Sequence, residues 1–149
     1  MSVPKSKRSK SKLQVITKSR LLAVYTLKIT ENEKNFPKRH RSFVRNKLQE
    51  VAMEISSLIY EANNIRVTNA DDYKSRRALQ QEALRLTFRL LNNIGIWHQI
   101  RRIDANRITY WSELIMETQS LLRSWRDSDA KRYRDILAQG NKDGELTTQ

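Results

Sequence analysis

Cysteine is absent from all 149 residues, which excludes disulfides and thiolate metal sites and suits a reducing compartment. Glycine occurs three times and proline twice, too few for the tight turns of a many-stranded sheet, so helices joined by short loops fit better. No apolar run is long enough to span a bilayer. Lys18, Arg20 and Lys28 interrupt the first candidate segment, and that interruption also argues against a signal peptide. The first 30 residues are basic and free of acids, as an organellar transit peptide would be, but Leu21 to Ile29 read as core. A cytoplasmic location, away from any membrane, is therefore expected.

Chemistry-bearing patterns are equally scarce. His40 and His98 are the only histidines and have no metal-ligand spacing, so no metal site is expected. Glycine-rich phosphate loops, nucleophile elbows and metal-binding pairs do not occur. Acid-base catalysis needs titratable groups that converge in a pocket, and the carboxylates here mostly fall on exposed helical positions beside Lys or Arg. The expectation is a protein that is not an enzyme, with no catalytic residues and no cofactor.

What the sequence does have is positive charge and helical periodicity. Lys and Arg number 29 against 16 Asp and Glu, a net charge of +13, which attracts polyanions and repels copies of the chain. With 38% hydrophobic residues, the chain can build one core of useful size but not two.

Residues 1–12, MSVPKSKRSKSK, carry almost nothing apolar to offset the entropy of ordering and read as a disordered basic arm. Helix A follows, with Leu13, Ile16, Leu21, Val24, Leu27 and Ile29 at mostly helical spacing until Asn35-Phe36-Pro37. Helix B restarts at Pro37 and runs to about Arg66. Its stripe of Val44, Leu48, Val51, Ile55, Leu58 and Ala62 is the clearest in the chain, and Ala52 and Ile59 widen it. Thr68-Asn69-Ala70-Asp71-Asp72 supplies a cap and first-turn acids for helix C, whose stripe is Leu79, Ala83, Leu86, Leu90, Ile94 and Trp97. After a break around Ile103-Asp104-Ala105-Asn106, helix D carries Ile108, Trp111, Leu114, Ile115, Thr118, Leu121, Leu122 and Trp125 and continues toward Leu137. Residues 139–149 read as a short polar, disordered tail. Four long amphipathic helices with short connections over 13–138 pack most economically as an all-α, antiparallel, up-down-up-down four-helix bundle.

The charge is clustered. Residues 1–20 contain seven basic side chains (Lys5, Lys7, Arg8, Lys10, Lys12, Lys18, Arg20) and residues 38–47 contain five (Lys38, Arg39, Arg41, Arg45, Lys47), neither with an acid. The two segments nearly account for the net charge. In an antiparallel bundle the A/B and C/D junctions share one end, so Arg101, Arg102 and Arg107 should join the second cluster there, partly opposed by Glu31, Glu33 and Asp104. Helix B's first turns should form a charged rim beyond the core, because burying those cations would cost heavily. A nucleic-acid-binding pole of Lys38, Arg39, Arg41, Arg45, Lys47, Arg101, Arg102 and Arg107 is expected, with Lys5, Lys7, Arg8, Lys10 and Lys12 contributing from the arm. Such contacts engage phosphates with steep salt dependence and little sequence preference. Trp97, Trp111 and Trp125 fall on or beside core stripes and are expected inside, with Tyr25, Tyr73, Tyr110 and Tyr133 at edges. A solvated helical surface, a scaffold docking an acidic protein and a membrane-surface helix are the competing readings of the same charge.

Four stretches carry a family resemblance: Phe36-Pro37-Lys38-Arg39, the segment from Val51 to Ile59, Tyr110-Trp111-Ser112-Glu113-Leu114, and Leu121-Leu122-Arg123-Ser124-Trp125. Over roughly Lys12 to Arg134 the chain resembles the accessory variability proteins of diversity-generating retroelements. These are four-helix bundles related to proteins encoded in ribosomal-RNA intervening sequences, the alternative branch. Ala62-Asn63-Asn64-Ile65-Arg66 stands where that branch has an Asn-Ile-Ala-Glu-Gly-like signature, which favours the retroelement branch. The resemblance implies a non-catalytic partner of a reverse transcriptase. It further implies a homo-oligomer, a pentamer, that binds template RNA or cDNA and supports mutagenic cDNA synthesis.

Overall fold

The computed structural model describes the backbone of residues 5–147 and the side chains of residues 14–142 and 144. Every regular element among the described residues is helical: α1 (Lys5–Thr30), α2 (Asn46–Asn64), α3 (Ala70–Arg101), α4 (Ala105–Arg132) and α5 (Arg134–Thr147). Helix α1 packs on α2 and α4, α3 packs on the same two, and α5 lies against α3 and α4. The result is a helical bundle around one apolar core, and none of the described helices is long and apolar enough to cross a membrane.

The three later stripes fill that core as their spacing predicts. Leu48, Ala52, Ile55, Leu58, Ile59 and Ala62 of α2 are buried, as are Ala83, Leu86, Leu90, Ile94 and Trp97 of α3. Trp111, Leu114, Ile115, Leu122 and Trp125 of α4 complete it, so all three tryptophans are interior. Of the tyrosines expected at edges, Tyr73 is instead buried.

Helix α1 departs from its expected register. Leu21 and Val24 face solvent, and the buried line runs through Val15, Ser19, Leu22, Thr26, Ile29 and Thr30. Three hydroxyls can occupy this line because each is satisfied within its own helix. Ser19 Oγ donates to the Ile16 carbonyl at 3.0 Å, Thr26 Oγ1 to Leu22 at 2.8 Å and Thr30 Oγ1 to Thr26 at 2.6 Å. Two of them also accept from neighbouring helices. Trp111 Nε1 donates to Thr26 Oγ1 at 2.9 Å, and Gln49 Nε2 donates to Thr30 Oγ1 at 2.8 Å.

The termini also differ from expectation. The first helix begins at Lys5, inside the segment expected as a disordered arm; residues 1–4 lie outside the described residues. At the other end, helix D does not run through to Leu137. Tyr133 leaves helical geometry (φ −105°, ψ 15°), placing its ring 5.6 Å from that of Tyr73, and α5 starts afresh. Most of the tail expected to be disordered is this fifth helix. A Cβ built on Gly140 would collide with the Ala70 side chain, so glycine is what allows α5 to approach the start of α3.

Local signals explain the other boundaries. Asn69 caps α3 by accepting from the Asp72 N–H at 2.8 Å, and Asp72 reciprocates by accepting from the backbone N–H and hydroxyl of Thr68. The Thr68 hydroxyl, followed by its N–H, holds the Asp72 carboxyl below its ordinary pKa. Asp104 caps α4, accepting from the Arg107 N–H at 3.3 Å.

Candidate nucleic-acid interface

The connection between α1 and α2 is pinned to the end of α3 by aromatic packing. Trp97 Nε1 donates to the Asn35 carbonyl at 2.9 Å, Phe36 stacks on Trp97 with centroids 6.0 Å apart, and the His40 ring meets Trp97 edge-on at 5.4 Å. The start of α4 joins them through Tyr25, whose hydroxyl donates to the Arg107 carbonyl at 3.2 Å and whose ring packs edge-on against Tyr110 at 4.8 Å. Burial raises the Tyr25 pKa and outweighs the lowering effect of the Arg107 cation. Residues 35–47, 97–103 and 107–111 therefore share one end of the bundle.

Eight of the expected binding residues sit on these three segments. Lys38, Arg39, Arg41, Lys47, Arg102 and Arg107 are exposed, and Arg45 and Arg101 are half-buried. Residues 38–45 are not regular α-helix, although a continuous helix B was expected from Pro37. Lys38–His40 forms a 3-10 turn and Arg41–Arg45 a π turn, closed by the Asn46 N–H donating to the Arg41 carbonyl. One extra residue in a turn rotates what precedes it by roughly 100° about the helix axis. Continuing the α2 register backward would align Arg41 with the core stripe, and the wide turn delivers it to solvent instead.

Few acids neutralise this pole. Lys38 Nζ lies 3.4 Å from Glu33 Oε1 in an exposed pair, a geometry that contributes little in water, and Asp104 is engaged in capping. Arg39 Nε donates to His40 Nε2 at 3.2 Å, two groups of the pole in contact. Three buried nitrogens here, His40 Nδ1, Arg45 Nε and Arg101 Nε, have no hydrogen-bond partner among the described residues. Arg102 takes a left-handed conformation (φ 49°, ψ 76°) that ends α3, its N–H donating to the His98 carbonyl at 2.8 Å. His98 Nδ1 accepts from the Ile103 N–H at 3.0 Å, so this histidine secures the α3–α4 connection.

The other expected contributors lie apart. Lys5, Lys7, Arg8, Lys10 and Lys12 occupy the first turns of α1, at the end of that helix remote from the pole, and their side chains are outside the described residues. Lys18 pairs with Glu117 at 2.7 Å, and Arg20 stacks over the Tyr60 ring at 5.6 Å.

Two features escaped the sequence reading. At the pole, Phe43 is 60% exposed and walls an open cavity of about 340 Å³ with Val44, Lys47, Leu48, Asn93, Ile96, Trp97 and Ile100. Ile96 and Ile100 are a helical step apart but off the Ile94–Trp97 stripe, a signal that was present and unread. At the opposite end, Asp129 departs from the pattern of exposed carboxylates: it is 1% exposed and paired with Arg76, which is 3% exposed. Arg76 Nη2 donates to Asp129 Oδ1 at 3.1 Å, and Gln80 Nε2 donates to Oδ2 at 2.8 Å. Arg76 Nε also lies 2.8 Å from Oδ2, though its N–H is not aligned for a hydrogen bond. The guanidinium sits over the rings of Trp125 and Tyr133 at 5.0 and 5.8 Å. This network joins α3 to α4. No group of three His, Asp or Glu side chains placed to hold a metal ion occurs among the described residues.

The chain matches none of the protein-family models, curated proteins or solved structures with which it was compared.

Proposed function

We propose that this chain is a non-catalytic nucleic-acid-binding protein whose basic pole grips phosphates, built on an antiparallel up-down-up-down arrangement of α1–α4. The antiparallel arrangement is supported by the order of partners between α1 and α4, where Lys18 meets Glu117, Thr26 meets Trp111 and Tyr25 meets Arg107. The observation that carries the functional reading is the convergence of eight basic residues from three segments on one end, where, among the described residues, one exposed acid pairs with any of them. Cations so gathered focus a field on a polyanion, whereas the same number dispersed would mainly confer solubility.

On the resemblance described above, the protein is an accessory subunit of a diversity-generating retroelement. It holds template RNA or cDNA beside a reverse transcriptase, which performs the chemistry, to support mutagenic synthesis. A homo-oligomer, pentameric by the same resemblance, multiplies weak phosphate contacts into useful affinity. The test is an Arg41→Glu/Arg45→Glu variant in an RNA-retention assay. Retention is expected to collapse while helicity by circular dichroism is preserved, and undiminished binding would overturn the assignment of this surface.

A further inference from the structure

The pole carries more than charge. Phe43, Ile96 and Ile100, 60%, 54% and 65% exposed, wall the cavity beside α3, and the buried Trp97 also lines it. Its polar liners are Lys47 and Asn93, and no acid lines it. A cluster of exposed apolar side chains is not needed to hold phosphates, nor does it aid solubility. Its cause must be sought in what it binds.

We infer that this groove takes an unpaired nucleobase, so that the pole prefers single-stranded to double-stranded nucleic acid; the inference rests on the reading of the pole as a phosphate-binding surface. The His40 ring braces Phe43 edge-on at 5.5 Å while leaving much of its surface open. An exposed aromatic ring among cations is the arrangement that stacks bases while the cations follow the backbone. Lys47, four residues after Phe43, lines the groove with it, so a strand whose base lies on the Phe43 ring runs a phosphate past that ammonium. Asn93 offers both a donor and an acceptor to a base edge. A cavity of about 340 Å³ falls in the range of small-ligand clefts. Bases within a duplex are stacked and paired and present no free face, so a duplex can use only the cations. Charge also bears on what covers the groove: a second copy seated pole to pole would set its own eight cations against these, so the oligomer proposed above is expected to use other faces.

The experiment compares a labelled single-stranded RNA of about 20 nucleotides with its blunt duplex by fluorescence anisotropy at one fixed salt concentration. Wild type should prefer the single strand. Phe43→Ala should lower the ratio of single-strand to duplex affinity about tenfold, in line with the loss of one base–aromatic stack, and Phe43→Trp should restore it. Ile100→Ser, on the opposite wall, provides a second exposed site and should lower the same ratio. An unchanged ratio in both Phe43→Ala and Ile100→Ser would overturn the inference while leaving phosphate binding by the pole intact. Failure of wild type to bind either RNA would remove the underlying reading and the inference together. A drop in sedimentation mass on Phe43→Ala, with RNA preference unchanged, would assign the groove to a second copy of the chain and also overturn the inference.

Discussion

Arg102 joins two demands that a pair of substitutions can separate. Its left-handed backbone (φ 49°) ends α3, and its side chain belongs to the basic pole. A side chain in this conformation costs about 1–2 kcal/mol relative to glycine, because Cβ crowds the following carbonyl oxygen. Glycine in turn gives back about 0.4–1 kcal/mol through the greater freedom of the unfolded chain. Arg102→Gly and Arg102→Ala both delete the guanidinium and its favourable position at a helix C-terminus, so those terms cancel in the comparison. The remaining difference should leave the glycine variant about 0.5–1 kcal/mol more stable than the alanine variant. At this chain length that is about 1–4 °C in thermal midpoint by circular dichroism. In RNA binding the two variants should be equal, each weakening affinity and lowering the slope of log affinity against log salt by about one. An alanine variant as stable as the glycine variant would refute the strain argument. Wild-type salt dependence in both would take Arg102 out of the phosphate path.

Three further substitutions probe the scaffold. Asp129→Ala strands a buried guanidinium and should cost about 3–5 kcal/mol in urea denaturation, with much of the loss recovered by Arg76→Met combined with Asp129→Leu; a loss below about 1 kcal/mol would show that water reaches the pair. Thr26→Val deprives Trp111 Nε1 of its acceptor and should cost about 1–3 kcal/mol, while Thr26→Ser should stay near wild type. Gly140→Ala should raise hydrogen exchange throughout α5 while sparing the core, and adding Ala70→Gly should restore protection; unaltered exchange in the single variant would mean that α5 does not depend on this approach.

How far the structure was legible depended on whether each helix's buried face is apolar. In α2, and over the later part of α3 and the earlier part of α4, it is mostly apolar, and spacing alone located the core positions from Leu48 to Ala62, Ala83 to Trp97 and Trp111 to Trp125. In α1 the buried line includes Ser19, Thr26 and Thr30, so counting apolar residues added Leu21 and Val24, which face solvent, to Ile16 and Ile29, which do meet the core. Hydroxyls bonding back to their own helix carry no hydropathy signal. The same blindness hid the Arg76–Asp129 pair, two charged residues far apart in sequence whose burial depends on each meeting the other. At the pole, the eight cations were legible because charge clusters and junctions can both be read from the chain. Their π turn was not, since a wide turn has no marker residue, and with it went the groove beside Phe43.

Whether the converged cations hold phosphates can be read from a salt titration of RNA binding. If roughly four to six of them engage a single strand, log affinity should fall linearly with log salt at a slope of about −3 to −4, and Arg41→Glu/Arg45→Glu should flatten it. A wild-type slope near zero, or one that the charge reversal leaves unaltered, would contradict phosphate binding by these cations.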